Sequence, residues 1–236
     1  MQYIAPMAGA AIGEFFMYND EDTGRILIPR DPFSRIEYHL PPSEGQKNLG
    51  ADLMQRIIDA QTDDPLERVA LDAFVLSFAT MGANFADLYN AVPPRDGVWR
   101  YNRQKTRSRR ADRAEMVVYI PACVYARLRR LVEQMEGAAW WLPELHRIGE
   151  KKHTCNEKIN AYLRRWKEKA EVEDFTFYAA RHTWATIARK LGYDLALIND
   201  CLCHKDALQI ARTYAETDWE QINAVNKAVM ESFVWM

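Results

Sequence analysis

Apolar residues recur at helical spacing along most of the chain, and a single stretch interrupts that period. Leu53, Ile57 and Ile58 share one helical face, as do Leu71, Phe74, Val75 and Phe78, and the two runs predict two helices. Gly82 breaks the second, and "NFADLYNAV" predicts a short third. From Gly97 the spacing becomes two. Val98–Gln104 and Glu115–Ile120 alternate around a basic middle, the pattern of a β-hairpin with a long polar turn. Helical spacing returns in "PACVYARLRRLVEQM", with Pro121 suited to a first turn, and in "CNEKINAYLRRWKEKA". The last third reads as helices. Thr176 is the expected N-cap of a helix through Leu191, with Trp184, Ile187, Ala188 and Leu191 as its stripe and Gly192 as its left-handed stop. Asp194 and Asp206 are expected to cap the next two helices. Asp218 with Gln221 makes a capping box ahead of Ile222, Val225, Val229 and Phe233. The expected fold class is mostly α with a small antiparallel β-sheet, α+β.

Residues 29–49, rich in proline around Pro41-Pro42, read as a linker, so residues 1–45 are expected to stand apart from a main domain at 46–236. No apolar run reaches the ~20 residues that span a bilayer, and the N-terminus lacks the basic start of a secretory signal. Cys123, Cys155, Cys201 and Cys203 form no CxxC pair and are read as reduced thiols, and no metal set is expected.

The formal net charge of −2 conceals an asymmetry. Residues 1–94 carry 6 basic against 14 acidic side chains, residues 95–170 carry 19 against 9, and residues 171–236 carry 6 against 10. The balances are −8, +10 and −4. A basic block between acidic flanks fits a polyanion-binding face, and equally a solvated surface of mixed charge.

Arg181 and His182 open the predicted 176–191 helix, where the dipole disfavours cations. An anion bound at the free N–H groups would account for them, since a guanidinium there forks toward two phosphate oxygens. The alternative is an arginine that reaches back to Asp174. His204 follows in "CLCHKD", between two short helices, and Tyr214 stands ten residues further on. A phenol, with a reference pKa of about 10, needs neighbouring cations to act as a nucleophile. Arg181 and His204 would steady the charge developing on a phosphoryl group while Tyr214 attacks in line.

The ordered set resembles the tyrosine recombinase (phage integrase) family. Its "R-H-x-x-x-T" pattern is matched by Arg181, His182 and Thr186, its "L-G-H" by Leu202, Cys203 and His204, and its nucleophile by Tyr214. Its hairpin lysine corresponds to Lys105 in "RQKT". The subtype most similar in "FTFYAARHTWATIA", "LCHKD" and "DWEQINAVNKAVM" is the integrase of Bacteroides-type mobile elements. The resemblance implies a catalytic domain at 46–236 preceded by the remnant of a core-binding (SAM-like) domain. It also implies transesterification of a DNA phosphodiester through a 3′-phosphotyrosyl link. Tyr214 would be the nucleophile, Lys105 the proton donor, and Arg181 and His204 the holders of the non-bridging oxygens. Tyr178 occupies a position that is often histidine or lysine in the family. No cofactor is implied. The implied partner is double-stranded DNA, with a homo-oligomer on DNA through the C-terminal helix and no membrane, in the cytoplasm of a bacterium at the nucleoid.

Two departures qualify the expectation. "TMGANFADL" stands where the family has "G-x-R-x-x-E-L", so the first catalytic arginine is missing, with Met81 or Asn84 in its place. The N-terminal DNA-binding arm is represented only by its expected tail. DNA affinity is expected from Arg103, Arg107, Arg109 and Arg110 in the hairpin. A second cluster, Arg127, Arg129, Arg130, Arg164, Arg165 and Lys167, is read either as a DNA track or as solvated helix faces. Trp140, Trp141 and Trp166 are read as core rather than as base-stacking residues. Beside an active recombinase stand two alternatives, a catalytically impaired DNA-binding relic or regulator with the same fold and a topoisomerase IB-like enzyme.

Overall fold

A computed structural model describes residues 48–110, 112–124, 139–204 and 217–235, except for the side chain of Arg109. Helices α1 (Ala51–Ile58), α2 (Pro65–Ala79) and α3 (Phe85–Tyr89) come first. Strands β1 (Val98–Asn102) and β2 (Glu115–Tyr119) follow, with a 3-10 turn at Arg107–Arg109 between them. Then come α4 (Pro143–Ile148), α5 (Lys152–Ala170), α6 (Ala179–Lys190), α7 (Leu195–Cys201) and α8 (Trp219–Glu231). The mostly helical architecture with one antiparallel pair is the fold class the hydrophobic pattern predicts. No described helix is long and apolar enough to cross a membrane.

Helix α2 is the axis of the core. Asp64 caps it by accepting from the Leu66 and Glu67 N–H groups, and Pro65 sits in its first turn, where a missing N–H is harmless. From Ala70 to Ala79 every residue is buried, because α5 and α6 pack on one side and α1 on another. Phe74 meets Phe175 and Phe177 at ring-centroid distances of 5.2 and 6.1 Å, and Phe78 meets Phe233 edge-on at 5.4 Å. The α8 stripe of Ile222, Val225, Val229 and Phe233 is therefore spent inside its own chain. Asn226 on α8 accepts from the Trp184 indole at 2.9 Å and donates to the Ala79 carbonyl at 2.9 Å, tying α8 to α6 and α2.

In the hairpin, Val98 pairs with Tyr119 and Asn102 with Glu115. Trp99, buried to 1% exposure, stacks on Tyr101 at 3.9 Å and meets Trp141 edge-on at 5.4 Å. The far edge of β2 is met by one side chain of α8. Asn223 accepts from the Tyr119 N–H at 2.7 Å and donates to the Val117 carbonyl at 2.9 Å, as a third strand would.

Three local expectations change. Thr176 does not cap α6: its carbonyl accepts from Ala179 N–H in a preceding turn, and the residue at the cap is Tyr178. Helix α4 was not expected, since "PELHRI" is too short to show a period. Helix α5 begins three residues earlier than the pattern, at Lys152. Asp194 and Asp218 cap α7 and α8 as expected, and Gly192 (φ +95°) follows the end of α6 in the left-handed region. The Asp206 cap, the helix beyond Val124 and the expectations for residues 1–45 fall outside the described residues.

Candidate active site

Three loops meet at the first turn of α6. The first is the turn after α2, where Met81 (φ 57°) and Gly82 (φ 66°) are both left-handed. A Cβ at Gly82 would lie 2.5 Å from the Cα of Arg181, so this turn reaches α6 only because position 82 has no side chain. The close approach lets Arg181 Nη1 donate to the Gly82 carbonyl at 2.9 Å.

The second loop follows α7. Arg181 Nη2 donates to the Leu202 carbonyl, and Arg103 Nη1 donates to the next one, Cys203, at 2.8 Å. His204 comes immediately after, its main-chain N–H bonded to the Asn199 carbonyl at 2.9 Å and its Nδ1 3.3 Å from Asn199 Oδ1. Cys203 takes φ 51°, a left-handed conformation that costs a side-chain-bearing residue roughly 1–2 kcal/mol. It occupies the glycine position of "L-G-H". Burial also pushes its thiol pKa up.

The third loop is the hairpin turn. The Arg103 carbonyl accepts from the Thr106 and Arg107 N–H groups, which closes the chain tightly and leaves Lys105 exposed at the bend. Asp87 Oδ1 on α3 accepts from the Gln104 N–H at 2.8 Å and so anchors the Lys105 turn to the first loop's helix. Asp87 is buried, and desolvation raises its pKa, opposed by the Gln104 hydrogen bond and the nearby charges of Arg103 and Arg181. Arg181 is 4% exposed, and its pKa is lowered by burial first and by the charge of Arg103 second. Among the described residues its Nε has no hydrogen-bond partner.

The expected site residues thus divide. Arg181 and the His204 loop are brought together, with Arg181 in the first turn of α6 as the sequence suggests. It does not reach Asp174, which pairs instead with Lys167. Lys105 is on the adjoining turn. Tyr178 is 41% exposed, with its ring edge-on to His182 at 4.7 Å. The pKa of His182 is lowered by burial and by Arg181. Tyr214 lies outside the described residues.

The basic residues divide too. Arg107 is exposed, and Arg110 forks onto Asp112 through two hydrogen bonds, its Nε at 2.8 Å from Oδ1. Arg103 differs from the surface residue expected: at 5% exposure it points inward. Lys167 is neither a DNA track nor a solvated face, because it is buried between Asp174 and the Phe175 carbonyl. Arg127, Arg129 and Arg130 fall outside the described residues. Trp141 and Trp166 are core residues, whereas Trp140 is 36% exposed and stacks on His146.

Arg103 and Asp87 are the residues that sequence reasoning did not place here. The clue for Asp87 was its match to the acidic position of the first motif. For Arg103 no periodic signal separates it from the exposed arginines that follow. The arrangement sets two guanidiniums, an imidazole and an exposed ammonium on adjoining loops, with the buried Asp87 carboxylate beside the two guanidiniums. Such a set can bind a phosphodiester and stabilise charge on its oxygens.

No curated protein matches the sequence closely. Residues 96–221, a little over half of the chain and running from the hairpin into α8, match the Phage integrase family. The chain belongs to the phage integrase family, whose members are the tyrosine recombinases.

Proposed function

We propose that the protein is a site-specific DNA recombinase that cuts and rejoins duplex DNA through a 3′-phosphotyrosyl intermediate. Family membership supports recombination in general. The observation that carries the finer reading is the Arg181 guanidinium, which bonds to the loop immediately before His204 from the first turn of another helix. Two groups 23 residues apart in sequence would then act on one phosphate.

In the reaction, Tyr214 releases its phenolic proton to solvent and its Oη forms a bond to phosphorus as the bond to the 5′ oxygen breaks, and Lys105 delivers the proton that makes the leaving group a hydroxyl. Arg181 and His204 hold the two non-bridging oxygens, and Tyr178 donates a neutral hydrogen bond. Arg107 contacts a flanking phosphate, and Arg110 does so on exchanging Asp112 for the phosphate. The phosphotyrosyl bond keeps the energy needed for rejoining, so no nucleotide is consumed. An origin in a Bacteroides-type mobile element and assembly of several copies on DNA belong to the same proposal.

The test is covalent capture. The protein is incubated with a pool of singly nicked duplexes carrying a randomised core, and protein–DNA adducts are recovered under denaturing conditions and sequenced. A family of related cores is expected from the wild type and none from Tyr214→Phe. Adducts that persist in Tyr214→Phe would assign another nucleophile. DNA binding without any adduct would establish the non-enzymatic regulator instead, and unselective relaxation of supercoils would point to a topoisomerase.

A further inference from the structure

We infer that Arg103 is a catalytic residue: its guanidinium takes the phosphate-binding role for which "TMGANFADL" supplies no arginine. The inference rests on the proposed recombinase reading and assigns a group within that site. Four observations converge.

The first is place. Asn84 stands where the motif would carry its cation, and the amide orientation that satisfies its hydrogen bonding sets its oxygen 3.2 Å from both Arg103 Nη2 and Nε. The charge absent from the loop after α2 is thus delivered to the same spot from β1's end. The second is register with Arg181. The two guanidiniums hold consecutive carbonyls, Leu202 and Cys203, directly before His204. An oxygen bound by Arg181 in front of that loop would then be within reach of Arg103 as well.

The third is charge. Two guanidiniums at 4% and 5% exposure repel each other in a medium of low dielectric. The hydrogen bonds described for them end on neutral oxygens: the carbonyls of Gly82, Leu202 and Cys203 and the Asn84 amide. Asp87 lies near both, and its carboxylate accepts from the Gln104 main-chain N–H and from the Asn84 side chain, one anion for two cations. A cation pair held this way is built to receive an anion. The fourth is anchoring. Asp87 fixes Gln104, one residue from Arg103 and one from Lys105, so a single buried carboxylate sets both the inward guanidinium and the exposed ammonium. Arg103 then neutralises one non-bridging oxygen while Lys105 protonates the leaving oxygen, and no proton moves at Arg103.

The experiment uses a core duplex recovered with the wild type, prepared once with an ordinary phosphodiester at the cleaved bond and once with a methylphosphonate, which replaces one non-bridging oxygen by a neutral methyl. Arg103→Ala and Arg103→Gln are compared with wild type in single-turnover adduct formation; the glutamine retains a donor for the Cys203 carbonyl. Losses of about a hundredfold or more are expected on the phosphodiester. On the methylphosphonate the difference from wild type should shrink to within about tenfold, because the charge to be neutralised is gone. Asn84→Arg in the Arg103→Ala background, which returns a guanidinium from the opposite loop, should recover activity on the phosphodiester.

Equal losses on both substrates by both variants would assign Arg103 a structural role and overturn the inference, as would variants that cleave the phosphodiester at the wild-type rate. Either result leaves the recombinase reading intact, since that reading stands or falls on whether the wild type forms a Tyr214-dependent adduct.

Discussion

Two groups of cations lie within the described part of this domain, and their surroundings could hardly differ more. Along α5, Lys167, Lys169 and Arg165 each meet carboxylates: Lys167 pairs with Asp174, Lys169 reaches Glu67 at 2.6 Å, and Arg165 reaches Asp64 at 2.8 Å and Glu67 at 3.6 Å. At the start of α6, Arg181 and Arg103 hold carbonyls and an amide instead. The α5 group is neutralised within the chain: Arg165 and Lys169 bind α5 to the start of α2, and Lys167 ties α5 to the segment that follows it. The Arg181–Arg103 pair has one nearby carboxylate, Asp87, for two charges and is left with an excess of positive charge. Burial alone does not separate a structural cation from a functional one, since Lys167 and Arg181 are each 4% exposed. The identity of the acceptor does.

Arg181→Ala should break this contrast with the largest effect. Adduct formation on recovered core DNA is expected to fall at least about a hundredfold, the cost of an oxyanion ligand. The melting midpoint should move little, because relief of the repulsion from Arg103 offsets the lost hydrogen bonds. A large drop in melting temperature would move Arg181 into the structural group. Glu67→Ala should do the reverse. The Glu67 side chain is fully buried and also accepts from the Thr62 hydroxyl at 3.0 Å. Its removal leaves Lys169, Arg165 and Thr62 without that acceptor. Because both cations are half exposed, the expected loss is about 1–3 kcal/mol by denaturant unfolding, with the cleavage rate of folded protein unchanged.

The smallest effect sharpens the comparison through pH. Asp64 has its pKa held below the usual 3.8, first by the Leu66 N–H and further by the Glu67 N–H, Arg165 and Lys169. A carboxylate lowered on folding contributes stability above its unfolded pKa and loses it as pH falls through the folded value. Asp64→Ala should therefore melt below the wild type at neutral pH, and the gap should close as pH drops beneath 3.8. A gap that stays constant to low pH would show that the cap acts without its charge.

Much of this was legible in the sequence, for identifiable reasons. The stripes at Leu71–Phe78 and Ile222–Phe233, the alternation at Val98 and Glu115 and the caps at Asp194 and Asp218 are local signals, and local signals survive folding. Arg181 and His204 were legible because their spacing carries a motif. Arg103 was not, because the hairpin turn closes directly after it. "RQKTRSRR" gives no sign that the first basic residue turns inward while Lys105 and Arg107 stay out. The burial of Lys167 was hidden for a related reason, since its partner Asp174 lies beyond the end of α5 and no helical spacing relates the two.

The Asn223 clip has a consequence for how the molecule behaves among its copies. A two-stranded ribbon ordinarily leaves main-chain groups along its rim that can recruit a strand from another molecule and seed aggregates. The Tyr119 N–H and Val117 carbonyl are already satisfied by one carboxamide, which withdraws two of β2's main-chain groups from that rim. A side chain costing the chain a single residue thus does part of the protective work of an additional strand at that rim.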